Sequence, residues 1–184
     1  MQSDTAIRHC KAAMQSDTAM KSDRRNYLVE KKEIKPYYRK VQYYETDGMR
    51  IVHHSNYIRW MEEARMDYLD QVGYPYDELE RRGIMFPVLN VSCEYKQYTA
   101  FFETFRVDTA LAWFDGIRYE VSYRITDPSG EVLHATGSTQ HCFLSTDLKP
   151  MMVKKKDPEV FEGFCLYALE LRGSAKRAFE KMQK

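Results

Sequence analysis

The segment YYETDGMRIVHHSNY, Tyr43 to Tyr57, gathers Asp47, Arg50, His53, His54, Ser55 and Asn56 between aromatic residues. A carboxylate placed just before a helix start has a definite chemical use. The first N–H groups of a helix lack internal partners, and the macrodipole puts about half a positive charge there. That environment favours a developing oxyanion. An acid facing it can activate water or attack a carbonyl itself. The pairing suits acyl transfer, in which N–H groups polarise the carbonyl and the carboxylate drives the attack. A lone Asp before a helix is more often a cap or turn residue, so the spacing alone makes this chemistry possible and no more. His53 and His54 would need His134, His141 or Asp47 to complete a metal site. Adjacent His side chains diverge and no H-x-x-x-H spacing occurs, so no metal is expected.

The corner needs a strand before it and a helix after it. Lys40 to Glu45 is expected to form the first strand. A helical pattern runs from Asn56 to Val72, with Gly73 as its stop. At about 100° per residue, Tyr57, Ile58, Met61, Ala64, Tyr68, Leu69 and Val72 share one face. Arg65 falls inside that face and needs a carboxylate or carbonyl partner if buried; Glu62 lies on its border. Tyr76 to Arg82 suggests a second short helix closed by Gly83. Period-two patterns follow at Leu89–Tyr95, Phe105–Trp113 and Ile117–Ile125. Asp127-Pro128-Ser129-Gly130 is a turn. Glu131 to Leu144 is a last strand, with Gly137 marking a bulge. Asp157-Pro158 starts a helix. One apolar helix on an antiparallel sheet is an α+β layout.

The 184 residues suggest one domain with extensions. A hydrophobic share of 43% supports a core, and a net charge of +1 gives no argument for nucleic acid or an anionic membrane. No apolar run approaches the roughly 20 residues of a membrane span. Cys10, Cys93, Cys142 and Cys165 form no CxxC pair, so reduced thiols in a cytoplasmic protein are expected. MQSDTA occurs at Met1–Ala6 and again at Met14–Ala19. The expected division is a polar, flexible 1–35, a domain over 36–150 and a helical extension over 151–184.

The run YYETDGMRIVHHSNYIRWMEEAR resembles the signature of the hot-dog-fold acyl-CoA thioesterases, the 4-hydroxybenzoyl-CoA thioesterase family, which includes the short-chain enzymes associated with the Tol-Pal system. Tyr44, Asp47, Ile51, Val52, His54, Asn56 and Tyr57 fall in that family's register, and the match continues through Arg59, Trp60 and Arg65. The resemblance extends from about Lys40 to Thr146. It implies a five-stranded antiparallel sheet wrapped around one long central helix, with active sites at the interface of a homodimer or homotetramer. It implies hydrolysis of an acyl-CoA without metal or other cofactor. Asp47 is then nucleophile or general base, and the backbone N–H of His54 an oxyanion donor. Ser55, Asn56 and Tyr57 shape the helix start and the substrate site, and Glu62 reaches toward the acyl group.

The chain departs from the pattern twice. The usual Gly three residues after the catalytic Asp is Arg50. Gly permits positive φ and Arg resists it, so either the loop takes another turn with Gly48 as the flexible point, or Arg50 points at substrate or at Asp47. The basic cluster that some members carry after the third-strand Trp is replaced by Phe114-Asp115-Gly116. The nucleotide end of CoA is then held elsewhere, or an acyl carrier protein delivers the thioester. The rivals are therefore an acyl-carrier-protein thioesterase and a non-catalytic hot-dog module that binds an acyl thioester or a protein.

Overall fold

The computed structural model describes residues 31–183. The repeated MQSDTA and most of the expected N-terminal extension lie outside the described residues. Within them the strands are β1 (Tyr37–Lys40), β2 (Val88–Tyr95), β3 (Thr104–Phe114), β4 (Arg118–Thr126), β5 (Leu133–Cys142) and a short β6 (Glu170–Leu171). The helices are α1 (Ser55–Gln71), α2 (Tyr76–Arg81), α3 (Val153–Lys156), α4 (Pro158–Tyr167) and α5 (Gly173–Met182). The sheet order is β1-β3-β4-β5-β2, antiparallel throughout, with β6 added parallel to the end of β3. This is the hot-dog arrangement, an α+β fold with α1 packed on one sheet. No helix among the described residues is long and apolar enough to cross a membrane.

Helix α1 buries Tyr57, Trp60, Met61, Ala64, Tyr68 and Leu69, a stripe stepping by three and four residues. Ile58, expected on this face, is 39% exposed, and Trp60 takes its place, fully buried and stacked on Phe105 at 3.9 Å. The helix stops where Gly73 adopts φ +87°, and Tyr74 N–H returns to the Leu69 carbonyl.

Three other expectations are corrected. The first strand is Tyr37–Lys40, and Tyr43–Glu45 is a 3-10 turn instead. The Gln42 N–H donates to the Glu45 carboxylate at 2.7 Å, which curls the chain out of extension. In β3 the alternation slips at a bulge between Leu111 and Trp113, so that Phe114 enters the core and Trp113 lies under Arg172. Gly137 marks no bulge: it pairs in register with both Cys93 and Tyr123. Its backbone is instead a point where the Met61 side chain of α1 packs directly on the sheet. A Cβ there would overlap the Met61 side chain and the Ser92 carbonyl.

The C-terminal segment is three helices and a strand rather than one helix. Asp157 caps α4 through the N–H groups of Glu159 and Val160. Phe161 and Phe164 pack against Phe114. Strands β1 and β6 together cover the outer edge of β3, whereas the outer edge of β2 is unpaired within the described chain and Val88, Leu89 and Val91 are exposed on it. Arg65 is 5% exposed, yet its Nη1 has no partner among the described residues, nor does the buried Tyr119 hydroxyl; the guanidinium lies near the Phe86 ring.

Overpacking at the helix–sheet contact generates a prediction. Gly137→Ala is expected to lower stability by about 1–3 kcal/mol, measured by denaturant unfolding; an unchanged midpoint would refute the close-approach reading.

Candidate active site

Residues 45–53 form a small hairpin that delivers a carboxylate to the start of α1. Thr46 bridges Val52, Asp47 N–H donates to the Ile51 carbonyl at 2.9 Å, and Arg50 N–H donates to the Asp47 carbonyl at 2.9 Å. The turn is tightened by Met49 N–H donating to Asp47 Oδ1 at 2.8 Å. Asp47 Oδ2 makes no hydrogen bond to a described residue. Arg50 closes the turn at φ +63°. The loop therefore keeps the left-handed position, with Arg in place of Gly, and Gly48 does not supply it.

The hairpin is fastened to two neighbours. Val52 N–H donates to the Thr99 carbonyl at 2.8 Å, and Ile51 bridges Ala100. On the helix side, His53 N–H and the Asn56 side-chain amide both donate to the Glu45 carbonyl, at 2.8 and 2.7 Å. His54 precedes the first residue of α1, and its own N–H makes no hydrogen bond to a described residue. Its carbonyl accepts from the Tyr95 hydroxyl at 3.0 Å, which fixes the peptide plane entering the helix.

A cavity of about 250 Å³ opens between these parts, lined by Asp47, Met49, Ile51, Val52, His54, Tyr57, Tyr95, Lys96, Gln97 and Tyr98. The Tyr57 hydroxyl donates to Thr99 Oγ1 at 3.1 Å. Burial raises the Tyr57 phenol and pushes Tyr95 up to about 12, so both stay protonated and serve as donors. The arrangement can hold a carbonyl beside a free carboxylate oxygen and a helix N-terminus, against aromatic walls.

Of the residues expected at the site, Asp47, His54 and Tyr57 share this cavity. Arg50 is exposed at the turn beside it. Ser55 Oγ meets His53 Nδ1 at 2.8 Å, and Asn56 is buried against Glu45; neither lines the cavity. Glu62 is exposed, further along α1, and is not part of the lining. Sequence reasoning missed the far wall, Tyr95 to Tyr98, which arrives from the end of β2. It also missed Glu45, 2% exposed, whose carboxylate accepts from Trp60 Nε1 at 2.9 Å and pairs with Arg39 at 2.9 Å. The available signal was Trp60 itself, since a buried indole N–H requires an acceptor.

Comparison with known proteins follows the same geometry. The model of the thioesterase-like superfamily matches residues 41–162. A Bacillus subtilis protein named "Putative acyl-CoA thioesterase YneP" is 34% identical over 71% of this chain and 91% of its own length. The crystal structure of a DHNA-CoA thioesterase from Staphylococcus aureus aligns with TM-score 0.67 at 29% identity, covering 81% of this chain and 94% of that one. A hypothetical protein from Aquifex aeolicus aligns with TM-score 0.65 at 34% identity, covering 71% and 99%.

The left-handed Arg50 predicts a stability effect. A non-Gly residue in this conformation costs roughly 1–2 kcal/mol, and Gly loses about 0.5–1 kcal/mol of that advantage through its freer unfolded chain. Arg50→Gly is expected to raise the unfolding free energy by on the order of 0.5–1 kcal/mol, read from the denaturant midpoint. A lower midpoint would mean that the Arg50 side chain contributes more to the fold than its backbone costs.

Proposed function

The chain belongs to the thioesterase-like superfamily and is a thioester hydrolase, and from that premise we propose that it cleaves an acyl-CoA to the free acid and CoA with Asp47 as the reacting carboxylate. The observation that carries this reading is the pairing of a carboxylate oxygen without a protein partner, on a tight hairpin, with the unpaired N–H at the start of α1. In the proposed reaction the thioester carbonyl oxygen accepts from the His54 N–H. Asp47 then either attacks the carbonyl carbon or takes a proton from the water that attacks it. In the first case loss of the thiolate leaves an anhydride between Asp47 and the acyl group, which water then hydrolyses; in the second the tetrahedral intermediate expels the thiolate directly. Either way the C–S bond breaks, the thiolate is protonated, and the acyl group departs as the acid with an oxygen from water. One donor of the His54 kind is worth about 10²–10³ in rate in other enzymes. The reaction as proposed draws on no metal and no cofactor beyond the CoA of the substrate. The setting is proposed as cytoplasmic, supported by the free thiols Cys93, Cys142 and Cys165.

Two further parts belong to the proposal. Arg50, exposed beside the cavity, is taken to meet the anionic end of the substrate; Ser55, Asn56 and Tyr57 hold the helix start that the carbonyl faces, and Glu62 is taken to approach the acyl group in the assembled enzyme. The active form is taken to be a homodimer or a tetramer built from it. Support comes from the apolar outer edge of β2, unpaired among the described residues, and from Tyr95, the last residue of that strand, which also lines the cavity. A second reading has the acyl group arrive on an acyl carrier protein. It is favoured by the turn after Trp113, where Asp115 holds the N–H groups of Ile117 and Arg118 and pairs with the Arg118 guanidinium, leaving no free basic cluster.

Thiol release from short, long and aromatic acyl-CoAs tests the main reading. Asp47→Ala is expected to lose about 10²–10⁴ in kcat with an unchanged circular dichroism spectrum. Wild-type turnover in that variant would remove Asp47 from the chemistry, and a higher kcat/KM on carrier-bound acyl groups would favour the second reading. The solution mass is expected at twice the 21.8 kDa of the chain, or a multiple of that. Val91→Lys is expected to lower the mass and the activity together, and a fully active monomer would overturn the dimer.

A further inference from the structure

The residue that joins the two halves of this site is Glu45, and its role is not that of a surface ion pair. Its side chain and its main chain bind different elements. The carboxylate accepts from Trp60 Nε1 on α1 at 2.9 Å and from the Gln42 N–H at 2.7 Å, and pairs with Arg39 of β1 at 2.9 Å. Arg39 in turn holds Glu63, again on α1, at 2.9 Å. The carbonyl of Glu45 accepts from the His53 N–H and from the Asn56 amide. One residue therefore grips α1 at Trp60, one turn inside the helix, and at Asn56, its second residue. It also grips the peptide next to the His54 N–H.

Asp47 lies two residues beyond Glu45, across the extended Thr46. Two residues span at most about 7 Å, so any rotation at Glu45 moves the Asp47 carboxylate relative to the helix start. Burying a carboxylate at 2% exposure is costly unless it is paired and hydrogen-bonded. A fold can satisfy an indole N–H with a neutral acceptor at less cost. What the ionised group adds is a set of short charge-assisted bonds pointing in three directions, which hold their geometry more tightly than neutral ones.

We propose that Glu45 is a positioning residue for thioester hydrolysis: through Trp60 and His53 it sets the angle between the Asp47 hairpin and the α1 N-terminus. This rests on the reading of Asp47 and the His54 N–H as the reacting pair. Glu45 touches neither substrate nor cofactor and acts only through those two groups. A misplacement of about 1 Å at a reacting group can cost 10²-fold in rate, so the effect belongs in kcat.

The test uses the full-length protein, with kcat and KM measured on the best substrate of the acyl-CoA panel. Glu45→Gln keeps size and shape and removes the charge. Trp60→Phe keeps the aromatic packing on Phe105 and removes one N–H. The expected result is a 10- to 100-fold lower kcat in each variant, KM within about 3-fold of wild type, and a folded protein of unchanged mass. The double variant is expected to lose less than the product of the two single losses, because both variants loosen the hold of one carboxylate on α1. Glu45→Asp, which keeps the charge on a shorter arm, is expected to recover part of the lost kcat. Folded variants with wild-type kcat, or with the whole loss in KM, would overturn the proposal, as would fully multiplicative losses in the double variant. If Glu45→Gln fails to fold, Trp60→Phe alone decides by the same kcat criterion. Failure of the Asp47 reading is separate: it appears as an active Asp47→Ala enzyme, whatever the Glu45 variants do.

Discussion

A buried carboxylate ties the hairpin and the start of α1, the two parts of the candidate site, to the edge strand β1. The Glu45 side chain is removed from water with Arg39 beside it, and taking two charges out of water costs several kcal/mol per ion before pairing. The pair is tolerable only while both carboxylate oxygens keep their donors. Trp60, Gln42 and Arg39 supply those donors, and they come from the central helix, the 3-10 turn and the edge strand β1. None of the three elements can drift without leaving a buried charge short of a partner. The penalty for misalignment is therefore steep.

The rest of the fold keeps that arrangement under compression. Helix α1 lies so close to the sheet at Gly137 that a methyl group does not fit. Trp60 on Phe105 and Tyr57 in contact with Trp60 and Tyr95 extend the contact toward the site. One sheet edge is closed twice over, by β1 and by β6. The other, β2, remains open and carries exposed Val88, Leu89 and Val91. A sheet normally protects an edge with charge, bulge or cover. Here protection is concentrated on the edge away from the cavity, and the open edge ends at Tyr95, in the cavity wall.

Elements with local signals were legible in the sequence. Helix α1, its Gly73 stop, the Asp157 cap of α4 and the turn at 127–130 are each written within a few residues, through periodicity, capping or turn chemistry. The Asp47–His54 corner was legible for the same reason, since both groups lie in one continuous segment. What was not legible depends on partners far along the chain. The bulge that swaps Phe114 for Trp113 is defined by pairing with β4. Gly137 looks like a strand irregularity until Met61, on another element, arrives above it. Glu45 looks like any polar residue in an exposed tyrosine-rich run, because Trp60 lies 15 positions away. The far wall from Tyr95 to Tyr98 joins the site through contacts about 40 positions apart, Tyr95 with His54 and Thr99 with Val52 and Tyr57, and no local pattern announces them.

Arg50 brings the local and non-local levels together. A left-handed arginine is held there because the hairpin around it is over-determined: Thr46 pairs with Val52, Asp47 N–H with Ile51, and Met49 N–H with the Asp47 carboxylate. These bonds hold the backbone at position 50 in the left-handed region, where its Cβ crowds the main chain. Glycine would relieve it at no cost to the turn. A guanidinium maintained at that cost, exposed and three residues from Asp47, makes sense as charge directed outward at something anionic rather than as part of the scaffold. Under the proposed function the phosphates of CoA would be such a target, and Arg50 offers a cation at the hairpin where the turn after Trp113 pairs its Arg118 with Asp115.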